Sequence, residues 1–357
     1  MTKKIFVTAG IIMMSASLSF AASTKIGGSV SNNVRSGSGQ NHISAFSRGH
    51  DAHALAGSTK VESSIVQGSV SNYARTSGNI SAQVIGTGAT AVSASAFVQD
   101  SKVGASVGNV VTASGDIVTF AKGKDVTATA GGLNVQSSVV GYNVTNTARG
   151  AKNLTAQALG SDAAANAGGT NIQGSKVYGN VHNVLSTPGN VQAFAKGTHV
   201  TANAGSVNIQ DSRVAFNVTN RARAAGLAAS AKGRNATANA GSVDIQNSGI
   251  YANVSNNVFA GQDITADATG VHATANAGSV RIAESSVGGN VTNTVVVPQY
   301  SIRAHAKGTN ATANAGSINM QSALVNGSVT NMVTTCRTVA SAEGTTVEAE
   351  AGSIDIQ

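Results

Sequence analysis

The sequence predicts an all-β protein: a β-solenoid (β-helix-like) of nine tandem ~37-residue repeats with a thin Ala/Val/Ile core and Asn ladders. Three observations carry that expectation. A ten-residue phrase returns along the chain, as TANAGSVNIQ at 201–210, TANAGSVDIQ at 237–246, TANAGSVRIA at 274–283 and TANAGSINMQ at 312–321. Within the phrase, apolar and polar residues alternate, which is the period of a strand rather than a helix. Finally, the composition holds 41 Gly, two Pro, no Trp and only 4% aromatic residues. Globular cores rest on large side chains, each contributing roughly 1.5–3 kcal/mol when buried. A chain whose apolar content is mostly Ala and Val builds a thin core and repeats it.

The first element is a leader. Lys3 and Lys4 precede an apolar run from Ile5 to Met14, and Ser19-Phe20-Ala21 places small residues at −3 and −1 of a cleavage site. This reads as a secretory signal peptide over 1–21, too short and wrongly flanked for a membrane span. No other window reaches the length of a transmembrane segment. The expectation is therefore an exported chain, extracellular or attached at the cell surface, with an outer-membrane association left open.

Residues 22–357 read as a single repeat domain. Its nine repeats run over about 27–66, 67–103, 104–140, 141–177, 178–214, 215–250, 251–287, 288–325 and 326–357. The Val-x-Asn unit sets the register, with a structural Asn ladder at Asn32, Asn72, Asn109, Asn146, Asn183, Asn220, Asn256, Asn293 and Asn331. A turn-Gly ladder keeps the same beat at Gly57, Gly131, Gly168, Gly205, Gly241, Gly278, Gly316 and Gly352, with Ala94 standing in once.

In the fifth repeat the elements follow in order. Val181-His182-Asn183 begins a strand that leads into a variable loop. Val191-x-Ala193-x-Ala195 is a second strand, closed by Lys196-Gly197. Val200-x-Ala202-x-Ala204 is a third, closed by Gly205-Ser206. Val207-x-Ile209 is a fourth, followed by Gln210 and an arc through Ser212 and Val214. Gly at fixed corners supplies the backbone conformations that tight turns demand. Nearly all the length variation falls in the loop after the ladder Asn, where Pro188 and Pro298 also lie. Stacked coils require this, because strands must keep their length while a loop absorbs insertions. The pattern leaves open whether a repeat makes one four-stranded coil or two shorter ones. Either way, the Ala positions predict a flat, closely packed interior, and the Asn positions predict stacked amides that donate to one coil and accept from the other.

Chemistry is scarce. The single Cys336 cannot form an internal bridge and reads as a Val-like core filler. His50-Asp51-Ala52-His53, with His42 nearby, is the one His cluster and reads as a polar turn rather than a metal site. Neither a Ser/His/Asp order nor a phosphate-cradling Gly loop occurs. Catalytic residues, metal ligands and cofactors are accordingly none, and the expectation is that the protein is not an enzyme. Outward positions of the third strand, Thr201/Asn203, Thr237/Asn239, Thr274/Asn276 and Thr312/Asn314, predict an exposed Thr-x-Asn array. It reads first as ordinary strand-forming residues on a solvated face and second as an array that orders water, broken in the last repeat by Glu348 and Glu350.

The charge is +8 overall. A possible basic binding stripe is formed by Arg48, Lys122, Lys196, Lys232 and Lys307, and a second basic group by Arg75, Arg149, Arg221 and Arg223. Such stripes protect sheet edges and keep a protein soluble. They also attract polyanions. With no aromatic residues interleaved to stack on sugars or bases, the protective reading is preferred.

The sequence stops on GSIDIQ, the last strand of a repeat, without an evident polar cap, and an open strand invites the next molecule to continue the stack. The export signal, the tandem strand-turn-strand repeats, Asn and Gln at fixed places, and RNATANAGSVDIQ at 234–246 resemble the curlin-type subunits of curli, a bacterial functional amyloid. A looser likeness is to haemagglutinin-type β-helical adhesins. The curlin resemblance implies a secreted subunit that self-assembles end to end into extracellular fibres for surface adhesion or a biofilm matrix. Its partners would be copies of itself, with a cell-surface anchor or an acidic polysaccharide besides. The alternative expectation is a monomeric binding module for a polyanionic glycan or for ice.

Overall fold

A computed structural model describes residues 18–20, 24–36 and 42–357 of the chain. It is all-β, without a helix among the described residues. Each repeat makes one complete coil, since equivalent residues of successive repeats pair directly in parallel register, as Asn183 does with Asn146 and Asn220. Nine coils at the usual strand spacing make a rod roughly 40 Å long.

Each of the first seven coils is built from five strands, here numbered by their ranges in the fifth: β1 Val181–Ser186, β2 Val191–Lys196, β3 His199–Ala204, β4 Val207–Gln210 and β5 Arg213–Val214. The arc expected after Gln210 thus contains a two-residue strand of its own. The β3 strands stack into a nine-stranded sheet, and the β5 strands into another. The β4 strands form a ten-stranded sheet whose outermost member is Leu18–Phe20, paired in parallel with Thr59–Val61. The remainder of the expected leader and its cleavage site lie outside the described residues.

The loop expected between β1 and β2 disappears in the last two coils. Val291–Lys307 and Val329–Glu343 each run through as one strand, with a register shift between Val297 and Ser301. This joins the β1 and β2 strands of the whole rod into one 16-stranded sheet. Pro298 is tolerated there because it sits at that irregularity, where a missing N–H disturbs no ladder.

The interior has two compartments rather than one flat core. The fifth coil lines the first with Leu185, Val191, Ala193, Ala195, Val200, Ala202 and Ala204, and the second with Val181, Val207, Ile209 and Val214. Between the two stands the ladder Asn, fully buried in the middle coils. The corner that divides them is the Gly205-Ser206 turn. Gly205 holds φ at +62°, and Ala94 takes the same left-handed conformation at φ +49° in the second coil. At the β2–β3 turn the demand on Gly is steric, because a Cβ on Gly197 would lie 1.4 Å from the carbonyl oxygen of Gly160 in the coil before.

Cys336 departs from expectation. It is exposed, and its thiol donates to the carbonyl of Pro298 at 3.2 Å. The run-through strand places it opposite that irregular segment, away from both cores.

Candidate interaction surfaces

The ladder Asn column is continuous through all nine coils. Each Nδ2 donates to the Oδ1 of the following coil, from Asn32 to Asn72 at 3.0 Å through to Asn293 and Asn331 at 2.9 Å. The second amide hydrogen reaches the carbonyl of the turn residue, as Asn256 does with Gly241 at 3.0 Å and Asn293 with Gly278 at 3.0 Å. Two sequence ladders are therefore one device: the Asn holds the Gly corner in place. A second Ser column does the same for the β4–β5 corner, where Ser212 Oγ donates to the Gln210 carbonyl at 2.6 Å and accepts from the Ser175 N–H at 3.1 Å.

The expected Thr-x-Asn array does not face solvent. Asn203, Asn239, Asn276 and Asn314 are buried, and their Thr neighbours are half-buried. The turn at Gly205-Ser206 folds β4 back so that the outer sides of β3 and β4 converge in a seam. Asn208 of β4 is buried there as well. Alternation along a strand assigns a face but not what covers it, so a face that looks outward in sequence closes against its neighbour. The seam amides stack too, with Nδ2 reaching back to the preceding coil: Asn239 to Asn203 at 3.0 Å, Asn276 to Asn239 at 2.8 Å and Asn314 to Asn276 at 2.9 Å. An ice-ordering array is thereby lost.

Charged residues within the seam pair. Lys60, 2% exposed, meets Glu62 at 2.7 Å and His53 Nε2 at 2.9 Å. Asp244, fully buried, meets Arg281 of the next coil at 3.3 Å and takes Gln246 as a further donor. In the ninth coil the seam turns acidic. One carboxylate oxygen from each of Glu348, Glu350 and Asp355 lies within 4.8 Å of the others. Asn319 donates to Glu348 and Glu350, and Gln321 to Glu348 at 3.1 Å. Burial, and then the hydrogen bonds to its two acidic neighbours, push Glu350 up to about 8. The expected His cluster does not converge on one point. His53 turns to Lys60, while His42 accepts from the Asn79 N–H at 3.3 Å. Burial and the Lys60 charge hold His53 below its ordinary value.

Arg48, Lys122, Lys196, Lys232 and Lys307 occupy one exposed column along β2, interrupted by Ile85, Leu159 and Thr269. The column ends at Glu343, which Lys307 meets at 3.0 Å. Of the second basic group, Arg75, Arg149 and Arg223 share a column on β1, and Arg221 stands in another.

Sequence reasoning passed over the corner after β5. Tyr142, Tyr178, Phe216 and Tyr251 come from four successive coils and are 63%, 57%, 53% and 66% exposed. They alternate between two adjacent positions, so no repeat column reveals them. Lys176 and Arg213, both exposed, flank this aromatic run. Beside Tyr251 and Arg213 runs a shallow trough of about 850 Å³, reaching Leu324. No helix among the described residues is long and apolar enough to cross a membrane. Comparison of the chain with protein-family models, with curated proteins and with solved structures finds no match.

Proposed function

We propose that the protein is a structural, non-enzymatic subunit, exported and stacked end to end into extracellular fibres of the curlin-like kind, serving adhesion or matrix cohesion. The observation that carries this reading is the continuity of its ladders. Coil after coil passes backbone pairs and Asn amides to the next in parallel register, shifted only between Val297 and Ser301, and Ser hydroxyls do the same from Ser64 to Ser285. Such a stack is extended by another coil of the same kind at no cost in new geometry. The test is negative-stain microscopy of residues 22–357 diluted from denaturant over a range of concentrations. Unbranched filaments far longer than one rod, growing faster when seeded, are expected. Short rods that stay monomeric at every concentration would sink the reading.

The aromatic corner favours a second reading, a polyanionic-glycan adhesin. Exposed rings in successive coils beside Lys176 and Arg213 offer stacking faces and positive charge together. Salt-sensitive retention on an acidic polysaccharide, lost in Tyr178→Ala and in Arg213→Ala, is its signature. Retention unchanged by both substitutions would exclude that corner.

A further inference from the structure

The outer edges of the first and ninth coils carry opposite charge at matching positions. Residues 24–62 hold four basic and two acidic side chains, and residues 326–357 hold one basic and four acidic. Following each column from coil to coil fixes the correspondence. The column that ends in Asp355 begins at Lys60. The column that ends in Glu348 begins at His53. On the surface, the column that ends in Glu343 begins at Arg48.

Two of these columns already contain an ion pair between successive coils. Asp244 and Arg281 form one in the seam column of Asp355 and Lys60. Lys307 and Glu343 form the other, in the surface column of Glu343 and Arg48. One coil spacing therefore suits an acid–base pair at both places.

A third observation concerns what now covers the first edge. Leu18–Phe20 pairs with Thr59–Val61, with Ser19 opposite Lys60. In the same sheet, Ile354–Ile356 is the equivalent strand of the ninth coil, with Asp355 at the position of Ser19. The leader strand stands where the last strand of another copy would lie.

Resting on the fibre reading, we infer that a second copy of this chain docks its first coil on the ninth in the unbroken register, pairing Asp355 with Lys60, Glu348 with His53 and Glu343 with Arg48, once Leu18–Phe20 has left the edge. Lys60 is the central contact. It is buried, so an unmatched charge opposite it is costly. Arg48 and Glu343 are exposed and contribute less. Removal of the leader opens the edge, so assembly waits on processing.

The test is seeded elongation, followed by light scattering and microscopy. It compares the full chain, residues 22–357, and charge variants of the latter. Asp355→Lys alone and Lys60→Asp alone are each expected to slow elongation about tenfold or more. The chain carrying both is expected to recover most of the parent rate, and seeds of either single variant are expected to accept the parent chain at one end only. The exposed pair, Glu343→Arg and Arg48→Glu, repeats the cycle with smaller effects and guards against misfolding at the buried site. The full chain is expected to elongate more slowly than residues 22–357. Filaments that form normally with every single variant would overturn this junction while leaving the fibre reading intact. A double swap no better than its singles would overturn it too, and a full chain as fast as the shortened one would overturn the occlusion by the leader. A parent chain that forms no filaments would overturn both readings together.

Discussion

The two compartments of the rod share one backbone and differ in how they are filled. The lobe enclosed by the later part of β1, β2 and β3 is lined largely by Ala, whose side chain ends at Cβ and has no rotamer to adjust. The lobe enclosed by the start of β1, β4 and β5 is lined by Val and Ile. In the first, the sheets approach until methyl meets methyl, so an added carbon has nowhere to go. In the second, branched side chains fill space that a removed carbon would leave empty. The lesson is an asymmetry: the Ala lobe resists enlargement, and the Val lobe resists truncation. The Asn column between them answers to a third rule, that of a buried polar group which must be satisfied.

The partition itself gives the largest expected effect. Asn220 accepts from Asn183 and donates to Asn256, each at 2.9 Å. In Asn220→Asp the carboxylate still accepts, but it meets the Asn256 oxygen as acceptor against acceptor and carries a buried charge without a counter-ion. A loss of about 3–5 kcal/mol is expected from urea unfolding. Hydrogen exchange should rise in the fifth to seventh coils while distant coils hold, since stability in such rods is a sum over neighbours. Uniform exchange along the rod would refute that locality.

Next comes the Ala lobe. Ala202→Val adds two carbons where Ala165 and Ala238 stack directly on either side. Overpacking by that amount costs about 1–3 kcal/mol. The reverse change in the other lobe, Ile209→Val, removes a single carbon and is expected to cost about 0.5–1.5 kcal/mol. Equal losses in the two variants, measured by the same denaturant series, would erase the distinction between the lobes.

The smallest effect concerns pH and sharpens the contrast between the first coils and the rest. The folded protein holds His53 below its ordinary 6.5, through burial first and Lys60 second. The unfolded chain therefore takes up its proton first as pH falls. The stabilisation linked to neutral His53 is complete above about 6.5 and declines as pH drops below that. Melting temperature from pH 7 to 5 should fall less steeply in His53→Gln than in the parent; identical slopes would remove His53 from the account.

Much of this architecture was legible in the residues. Asn183 and its eight equivalents announced the register, and period-2 alternation announced strands. What the residues concealed follows from one fact: a strand pattern distinguishes two faces and is silent on where each face ends up. Asn203 alternates correctly to the side away from Ala202, yet the Gly205 corner brings Asn208 over it. The division into two lobes was hidden for the same reason, since the tight turn that creates it is only two residues long. The aromatic corner escaped because Tyr142 and Tyr178 occupy neighbouring positions rather than one column. The acidic seam of the ninth coil escaped because Glu348, Glu350 and Asp355 belong to different strands, brought together only by the fold. Cys336 was misassigned because its coil runs straight through a place where others loop.

The opposite senses of the two amide columns have an electrical consequence. A side-chain amide is a small dipole, and a column of them aligned head to tail adds up as peptide units do in a helix. Backbone groups in a sheet largely cancel, so these columns would be the main source of a field along the rod. Asn183 and its equivalents point their N–H groups toward the last coil, and Asn239 and its equivalents point theirs toward the first. The two rows run antiparallel, so the four seam amides offset part of the field of the nine ladder amides. A stack of such rods builds a smaller potential difference between its tips than the ladder alone would.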